Sequence, residues 1–323
     1  MRDPIRDHGG NIDGAMARFG GADWIDLSTG INRVAYPIPA LQPEDWTMLP
    51  TQTAKQALLD VAAKTYRCTA PMLAVAGAQA AIQMIPRLAK PGKARVLGPT
   101  YNEHAASLRA AGWNVEQVSQ FGQLAGADLA VVVNPNNPDG RSCAPADLLA
   151  LAGQVGRLVV DESFADAQPE VSLLPQAGQA GLLVLRSFGK FYGLAGVRLG
   201  FVIGCAEDIA ALQEMSGPWP VNGAALRIGA AALADKAWTE ATVQRLRSEV
   251  AQADALALAA GWQLVGGCEL FRSYETPDAE TAQIRLAKQQ IWSRIFPYSN
   301  RWLRIGLPGT PAEWARLTRA LEV

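Results

Sequence analysis

The chain has 323 residues, 49% of them hydrophobic and 18% charged, with a formal net charge of -1. So balanced a charge gives no electrostatic reason to expect a nucleic-acid partner or an anionic membrane surface, and a small-molecule role is expected instead. Single hydrophobic cores stop growing near roughly 250 to 300 residues, so the length fits one large core or two linked ones.

Cys68, Cys143, Cys205 and Cys268 lie far apart and form no CxxC pair, which argues for reduced thiols rather than a metal site or a disulfide framework. The segment from Met1 to His8 is polar and lacks an apolar h-region, and no run of about 18 apolar residues occurs. A cytoplasmic protein without a membrane span or a bound metal is expected.

In chain order, short apolar runs predict strands over Leu73 to Ala76, Ala94 to Gly98, Trp113 to Val118, Asp128 to Asn134, Arg157 to Ser163, Leu182 to Ser187 and Leu199 to Gly204. Helix-length segments lie between several of them, at Ala78 to Ala89, Glu103 to Ala111 and Pro145 to Val155. Strand and helix in alternation predict an α/β fold, a three-layer sandwich with a mostly parallel sheet covered by helices on both faces. The runs Ala130-Val131-Val132-Val133 and Leu158-Val159-Val160 do not alternate with polar residues, as in strands buried on both faces.

After Gly204 the texture changes to a long Ala-rich helical stretch, from about Asn222 to Ala260, followed by shorter mixed elements. This predicts an N-terminal arm over 1–30, a large domain over 31–215 and a smaller α+β domain over 216–323, with Pro218-Trp219-Pro220 as the clearest joint.

In open parallel sheets, ligands sit outside the carboxyl ends of the strands. Gly77-Ala78-Gln79 follows a strand and opens a helix, where free N–H groups and the helix dipole suit a phosphate, although such a glycine is more often only a turn. Asn134-Pro135-Asn136-Asn137-Pro138-Asp139-Gly140 ends the next strand, its prolines fixing a loop from which amide side chains project. Asp161 terminates a strand buried on both faces, so its carboxylate needs a cationic partner.

Lys190 stands in a glycine-rich stretch between Ser187 and Arg198. Alone it reads as a solvated loop lysine, because lysine is almost never fully buried. A nucleophilic amine, however, needs partial desolvation near positive charge, and a phosphate needs a fixed cation and hydroxyl donors, all of which this stretch contains.

In this order the motifs resemble the fold-type-I pyridoxal phosphate enzymes, the aspartate and histidinol-phosphate aminotransferase family, over nearly the whole chain. The resemblance implies pyridoxal 5'-phosphate as cofactor and Lys190 as the Schiff-base lysine. It further implies that Arg198, Ser187 and the backbone of Ala78 and Gln79 hold the cofactor phosphate, that Asp161 pairs with the pyridinium nitrogen, and that Asn137 bonds the ring hydroxyl. In Pro99-Thr100-Tyr101-Asn102-Glu103-His104, Tyr101 matches the aromatic that stacks on the ring and His104 the residue that supports the aspartate. In Trp302-Leu303-Arg304-Ile305-Gly306, Arg304 matches the arginine that grips the substrate carboxylate, a task for a planar fork, and is preferred to Arg301.

Four finer segments resemble one branch, the threonine-phosphate decarboxylases of cobalamin biosynthesis: His8-Gly9-Gly10-Asn11-Ile12, Ile25 to Asn32, Asp161-Glu162-Ser163-Phe164 and Pro218-Trp219-Pro220-Val221-Asn222. That resemblance implies decarboxylation of L-threonine O-3-phosphate to (R)-1-amino-2-propanol O-2-phosphate, with His8 and Asn32 as candidates for the substrate phosphate and Asn137 as a substrate contact besides its bond to the ring. A histidinol-phosphate-like aminotransferase is the alternative, and a non-catalytic, pyridoxal phosphate-binding regulator domain a more distant one. The implied partners are a small phosphorylated amino acid and a second copy of the chain.

Three positions depart from the aminotransferase pattern. Phe164 stands where a tyrosine is usual, Gly189 where a serine or threonine commonly precedes the lysine, and Leu49 where a tyrosine often reaches a neighbouring subunit. Gly189 is expected to remove a hydroxyl and to loosen the backbone beside Lys190.

Overall fold

A computed structural model describes residues 8–322, which divide into two compact units. The first comprises residues 36–137 and 141–238, and the second residues 8–35, 138–140 and 239–322.

The first unit is built on seven strands: β1 (Met72–Val75), β2 (Lys93–Leu97), β3 (Asn114–Val118), β4 (Leu129–Val133), β5 (Leu158–Asp161), β6 (Leu182–Ser187) and β7 (Gly200–Ile203). They form one sheet in the order β1-β7-β6-β5-β4-β2-β3. The pairings β2–β3, β2–β4, β4–β5 and β5–β6 are parallel, whereas β7 runs antiparallel to both β1 and β6. The α/β architecture with a mostly parallel sheet is thus as expected. Every residue of β4 and β5 is buried. Removing each such Leu or Val from water stabilises the fold by about 1.5–3 kcal/mol, which fixes these two strands at the centre.

Besides a single turn over Glu44–Thr47, the helices of this unit are α1 (Gln52–Thr65), α2 (Ala78–Met84), α3 (Asn102–Ala110), α4 (Pro145–Ala152), the single turn α5 (Phe188–Phe191), α6 (Ala206–Ser216) and α7 (Gly223–Ala234). They cover both faces of the sheet. On one face His104 of α3 meets Asp161 at the end of β5. On the other, Tyr66, just after α1, packs on Phe201 of β7 and beneath the Arg186 guanidinium of β6.

Two helices depart from the sequence expectation, each for a local reason. α2 ends at Met84 and passes into a 3-10 turn over Ile85–Arg87, because Pro86 has no N–H to donate. The Ala-rich stretch is two helices rather than one. Asp235 leaves the helical region with φ -83° and ψ 83°, and its Oδ1 accepts from Trp238 N at 2.9 Å, opening α8 (Lys236–Ala259).

The second unit carries a four-stranded antiparallel sheet of β8 (Gln263–Cys268), β9 (Phe271–Glu275), β10 (Arg294–Phe296) and β11 (Ser299–Gly306), in the order β10-β11-β9-β8. A short parallel pair joins Ile25–Asp26 to Ile291–Trp292. Leu27, Trp262, Tyr274, Leu303 and Ile305 form its core with residues of α9 (Ala279–Ala287) and α10 (Pro311–Leu321). Among the described residues no helix is long and apolar enough to cross a membrane, and no cluster of His, Cys, Asp and Glu could hold a metal ion.

Candidate active site

The carboxyl ends of β4, β5 and β6 open on a cleft of about 760 Å³, open mouth included, that lies wholly within the first unit. Gly77, Ala78, Gln79, Tyr101, Asn137, Asp161, Phe164, Ser187, Lys190 and Arg198 all line it. Size and position suit a small-molecule site in an open parallel sheet.

At the cleft floor, Asp161 Oδ2 lies 2.8 Å from His104 Nε2, and Oδ1 accepts from Ser163 N at 3.0 Å and Ser163 Oγ at 2.5 Å. Burial pulls the Asp161 pKa upward, but the hydrogen bond and charge of His104 and the two bonds from Ser163 outweigh it. The carboxyl therefore sits below its ordinary value and presents a fixed negative charge to the cleft. His104 does not line the cleft but stands behind the aspartate, on α3.

One end of the cleft is a cradle for an anion. Gly77, at the N-cap of α2, has φ +73°, and a Cβ there would lie 2.6 Å from Arg198 Nη2, so glycine lets the guanidinium rest on the helix N-terminus. Gly200 approaches the same turn from β7, where a Cβ would lie 2.4 Å from Ala78 N. Arg198 itself is left-handed, with φ 56° and ψ 49°, a conformation costing a non-glycine residue roughly 1–2 kcal/mol. Amide donors, a helix dipole and a guanidinium thus converge where a phosphate would be stabilised.

Lys190 occupies the one-turn helix α5, directly after β6, with Nζ 5.5 Å from the centre of the Phe164 ring. The turn is held from behind by Tyr192, which stacks on Phe188 at 4.5 Å and on Trp238 at 5.5 Å. Gly189 is buried, and a Cβ there would lie 2.7 Å from Ala195 Cα. The expectation of a looser backbone is therefore corrected: this glycine permits close packing.

The expectation that the amides of the loop after β4 project is corrected for two of them, and a cluster that no motif signals lies under the cleft. Asn134 and Asn136 do not project; Asn134 bonds Cys143 and Val171, and Asn136 bonds Thr100 and Pro99, so the loop is pinned and Asn137 alone of the three lines the cleft. Beneath the floor, on the opposite sheet face, Arg186 Nη1 meets Glu162 at 3.2 Å and Nη2 meets Asp166 at 2.9 Å. Neighbouring residues at the ends of β5 and β6 thereby face in opposite directions: Asp161 and Ser187 towards the cleft, Glu162 and Arg186 towards a buried ion cluster.

The remaining candidates belong to the second unit. Arg304, on β11, is buried, donates from Nη2 to Ser28 O, and lies 5.1 Å over the Phe271 ring. Burial, and then the charge of Arg294 directly across on β10, push its pKa down to about 9. A cation so placed gains by meeting an anion. Arg301 by contrast is exposed and bonds Glu275 at 2.8 Å. Asn32 is buried, and its Oδ1 accepts from Val34 N at 3.1 Å and from Arg245 Nη2 at 2.8 Å. His8 is exposed, while Gly10 two residues on donates to Ser28 Oγ at 2.7 Å. Ser28 thus ties both the N-terminal segment and Arg304.

A profile of the family described as aminotransferase class I and II matches residues 41–321. A threonine-phosphate decarboxylase from a Sinorhizobium species is 43% identical over 97% of this chain and 97% of its own length. Another from Pseudomonas aeruginosa is 40% identical over 98% of this chain and 97% of its own. The fold is that of a histidinol-phosphate aminotransferase from Sinorhizobium meliloti, solved in complex with pyridoxal-5'-phosphate, with a TM-score of 0.82 at 18% identity over 97% of this chain and 93% of that one. The chain belongs to the aminotransferase class I and II family.

Proposed function

We propose that this protein is a pyridoxal phosphate-dependent decarboxylase of L-threonine O-3-phosphate, making (R)-1-amino-2-propanol O-2-phosphate for cobalamin biosynthesis. The cleft fits that cofactor: it is lined by an anion cradle, by a buried carboxylate with lowered pKa and by a lysine. The observation that favours decarboxylation over a histidinol-phosphate-like transamination is the likeness, across nearly the full length, to two threonine-phosphate decarboxylases.

When bound, pyridoxal phosphate supplies an electron sink for the bond that breaks at the substrate Cα. Arg198, Ser187 and the amides of Ala78 and Gln79 would bind its phosphate. Asp161, held by His104, would keep a positive charge at the ring nitrogen, Asn137 would bond the ring hydroxyl, and Tyr101 would cover the ring face. Arg304 grips the substrate carboxylate with its planar fork, and Asn32, His8 and Arg294 are the candidates for the substrate phosphate. Arg294 joins the candidates because its register sets it opposite Arg304. Lys190 Nζ, or a water, would hold the reaction's proton and return it to the substrate carbon after carbon dioxide leaves.

The reading extends to a homodimer in the cytoplasm. In the first unit Ile38, Trp46, Met48, Leu49 and Trp219 are all large, apolar and more than half exposed, a surface cost that a second copy would remove. The four cysteines are free thiols, as suits a reducing compartment.

The test is to supply threonine phosphate to the protein loaded with pyridoxal phosphate and identify the product. The amine supports this reading, and a keto acid supports the aminotransferase. Borohydride reduction followed by peptide mapping is expected to place the cofactor on Lys190.

A further inference from the structure

Gln79 and Tyr101, which line the cleft, form a relay with Glu103, which does not. Glu103 Oε2 accepts from Gln79 Nε2 at 3.0 Å, and Gln79 Oε1 accepts from the Tyr101 hydroxyl at 3.2 Å. The direction of each bond is dictated by chemistry. An ionised carboxylate only accepts, so the Gln79 amide must turn its NH2 group to Glu103, which leaves its oxygen for the phenol. The Tyr101 proton is in this way directed at Gln79. Glu103 lies in the first turn of α3, where the helix N-terminus favours an anion, and is 8% exposed. The Tyr101 ring, which lines the cleft, also meets the His104 ring edge-on, with centroids 6.2 Å apart and planes at 83°. Its hydroxyl end and its flank are both restrained.

We propose that Glu103 is a positioning residue that acts through Gln79 to fix the inclination of the Tyr101 ring, and so the face it presents to a bound pyridoxal phosphate. The inference rests on the cofactor reading above. It assigns work to a buried carboxylate and to the Gln79 side chain that the reaction itself leaves unused. A ring clamped at its hydroxyl stacks in one orientation, whereas a ring released from the relay samples several, and both the affinity and the chirality of the cofactor's surroundings fall.

The experiment measures two quantities on protein titrated with pyridoxal phosphate: the cofactor dissociation constant and the circular dichroism of the visible band per unit of absorbance. Glu103→Leu is expected to weaken cofactor binding about tenfold, the loss of one hydrogen bond to a charged group, and to reduce the dichroism. Glu103→Gln keeps an acceptor and is expected to stay near the wild type. Tyr101→Phe is expected to lose as much as Glu103→Leu, and in that background Glu103→Leu is expected to add nothing, since the two act through one path. A merely structural carboxylate would instead give additive losses. Equal dichroism and affinity in wild type and Glu103→Leu, or full additivity with Tyr101→Phe, would overturn the proposal. Melting of the cofactor-free variants monitors the fold. Should Glu103→Leu not fold, Gln79→Leu breaks the same relay and carries the same expectation and the same refutation. A wild-type protein that takes up no pyridoxal phosphate would overturn the cofactor reading; a wild type that binds it beside indifferent variants would overturn this inference alone.

Discussion

His104 Nε2 and Asp161 Oδ2 meet at 2.8 Å, with the two residues only 4% and 2% exposed. The contact joins the first full turn of α3 to the end of the central strand β5, and gives the cleft a carboxylate that stays ionised although it is buried. Asp161→Asn removes that charge while keeping the shape. Cofactor affinity is expected to fall roughly ten- to hundredfold, the worth of a buried hydrogen bond to a charge, as read by titration of the visible band. Unchanged affinity would mean that Asp161 does not face the cofactor.

The same carboxylate shapes the acid limb of stability. A carboxyl whose folded pKa is lowered stabilises the fold above its unfolded value, near pH 4, and that contribution is lost as the pH falls through the lowered folded value. Asp161→Asn is expected to be less stable at neutral pH and to lose stability less steeply below about pH 4. Glu162 and Asp166, whose pKa values are raised chiefly by burial, act in the opposite sense in both proteins. Thermal melts across this range check it; parallel curves for the two proteins would contradict it.

Gly200→Ala is expected to cost about 1–3 kcal/mol, since the new methyl would stand 2.4 Å from the backbone N of Ala78 and the strand or the helix must shift. The shift displaces the N-terminus of α2, so cofactor affinity should fall along with the melting temperature. A variant that loses stability but binds pyridoxal phosphate as the wild type does would detach the α2 turn from the phosphate site.

How much of this was legible in the amino-acid sequence depends on how local the cause is. The strands β4 and β5 announce themselves because a strand covered on both faces has no polar side, and the turns at Gly77 and Asn134 carry their own residue chemistry. Gly200 and the Glu162–Arg186–Asp166 cluster do not, because their reasons lie in groups brought together by sheet order: Gly200 against Ala78, Arg186 against Glu162. Asp235 was hidden by its surroundings, since helix-favouring alanines on both sides mask a break made by one side-chain hydrogen bond. Arg294 stands out only once the register of β10 and β11 sets it opposite Arg304.

Arg304→Met is expected to separate function from stability. The arginine is buried with a pKa lowered first by burial and then by Arg294, so an apolar replacement should leave the melting temperature unchanged or higher. KM for the phosphorylated amino acid should rise roughly a hundredfold, as two charge-assisted bonds to the carboxylate are lost. An unaltered KM would remove Arg304 from the substrate site.

Cys268 is buried, and burial pushes its thiol up to about 12. In native protein near neutral pH it is expected to resist alkylation and to react only on unfolding, as followed by mass spectrometry of alkylated peptides. Labelling of Cys268 in the folded protein would contradict its placement in β8.

The central claim is tested most directly by carbon dioxide release from carboxyl-labelled L-threonine O-3-phosphate. Protein loaded with pyridoxal phosphate is expected to release one labelled carbon dioxide for each substrate consumed and to transfer no amino group to the cofactor. Consumption of the substrate with the label retained in a keto acid would contradict it.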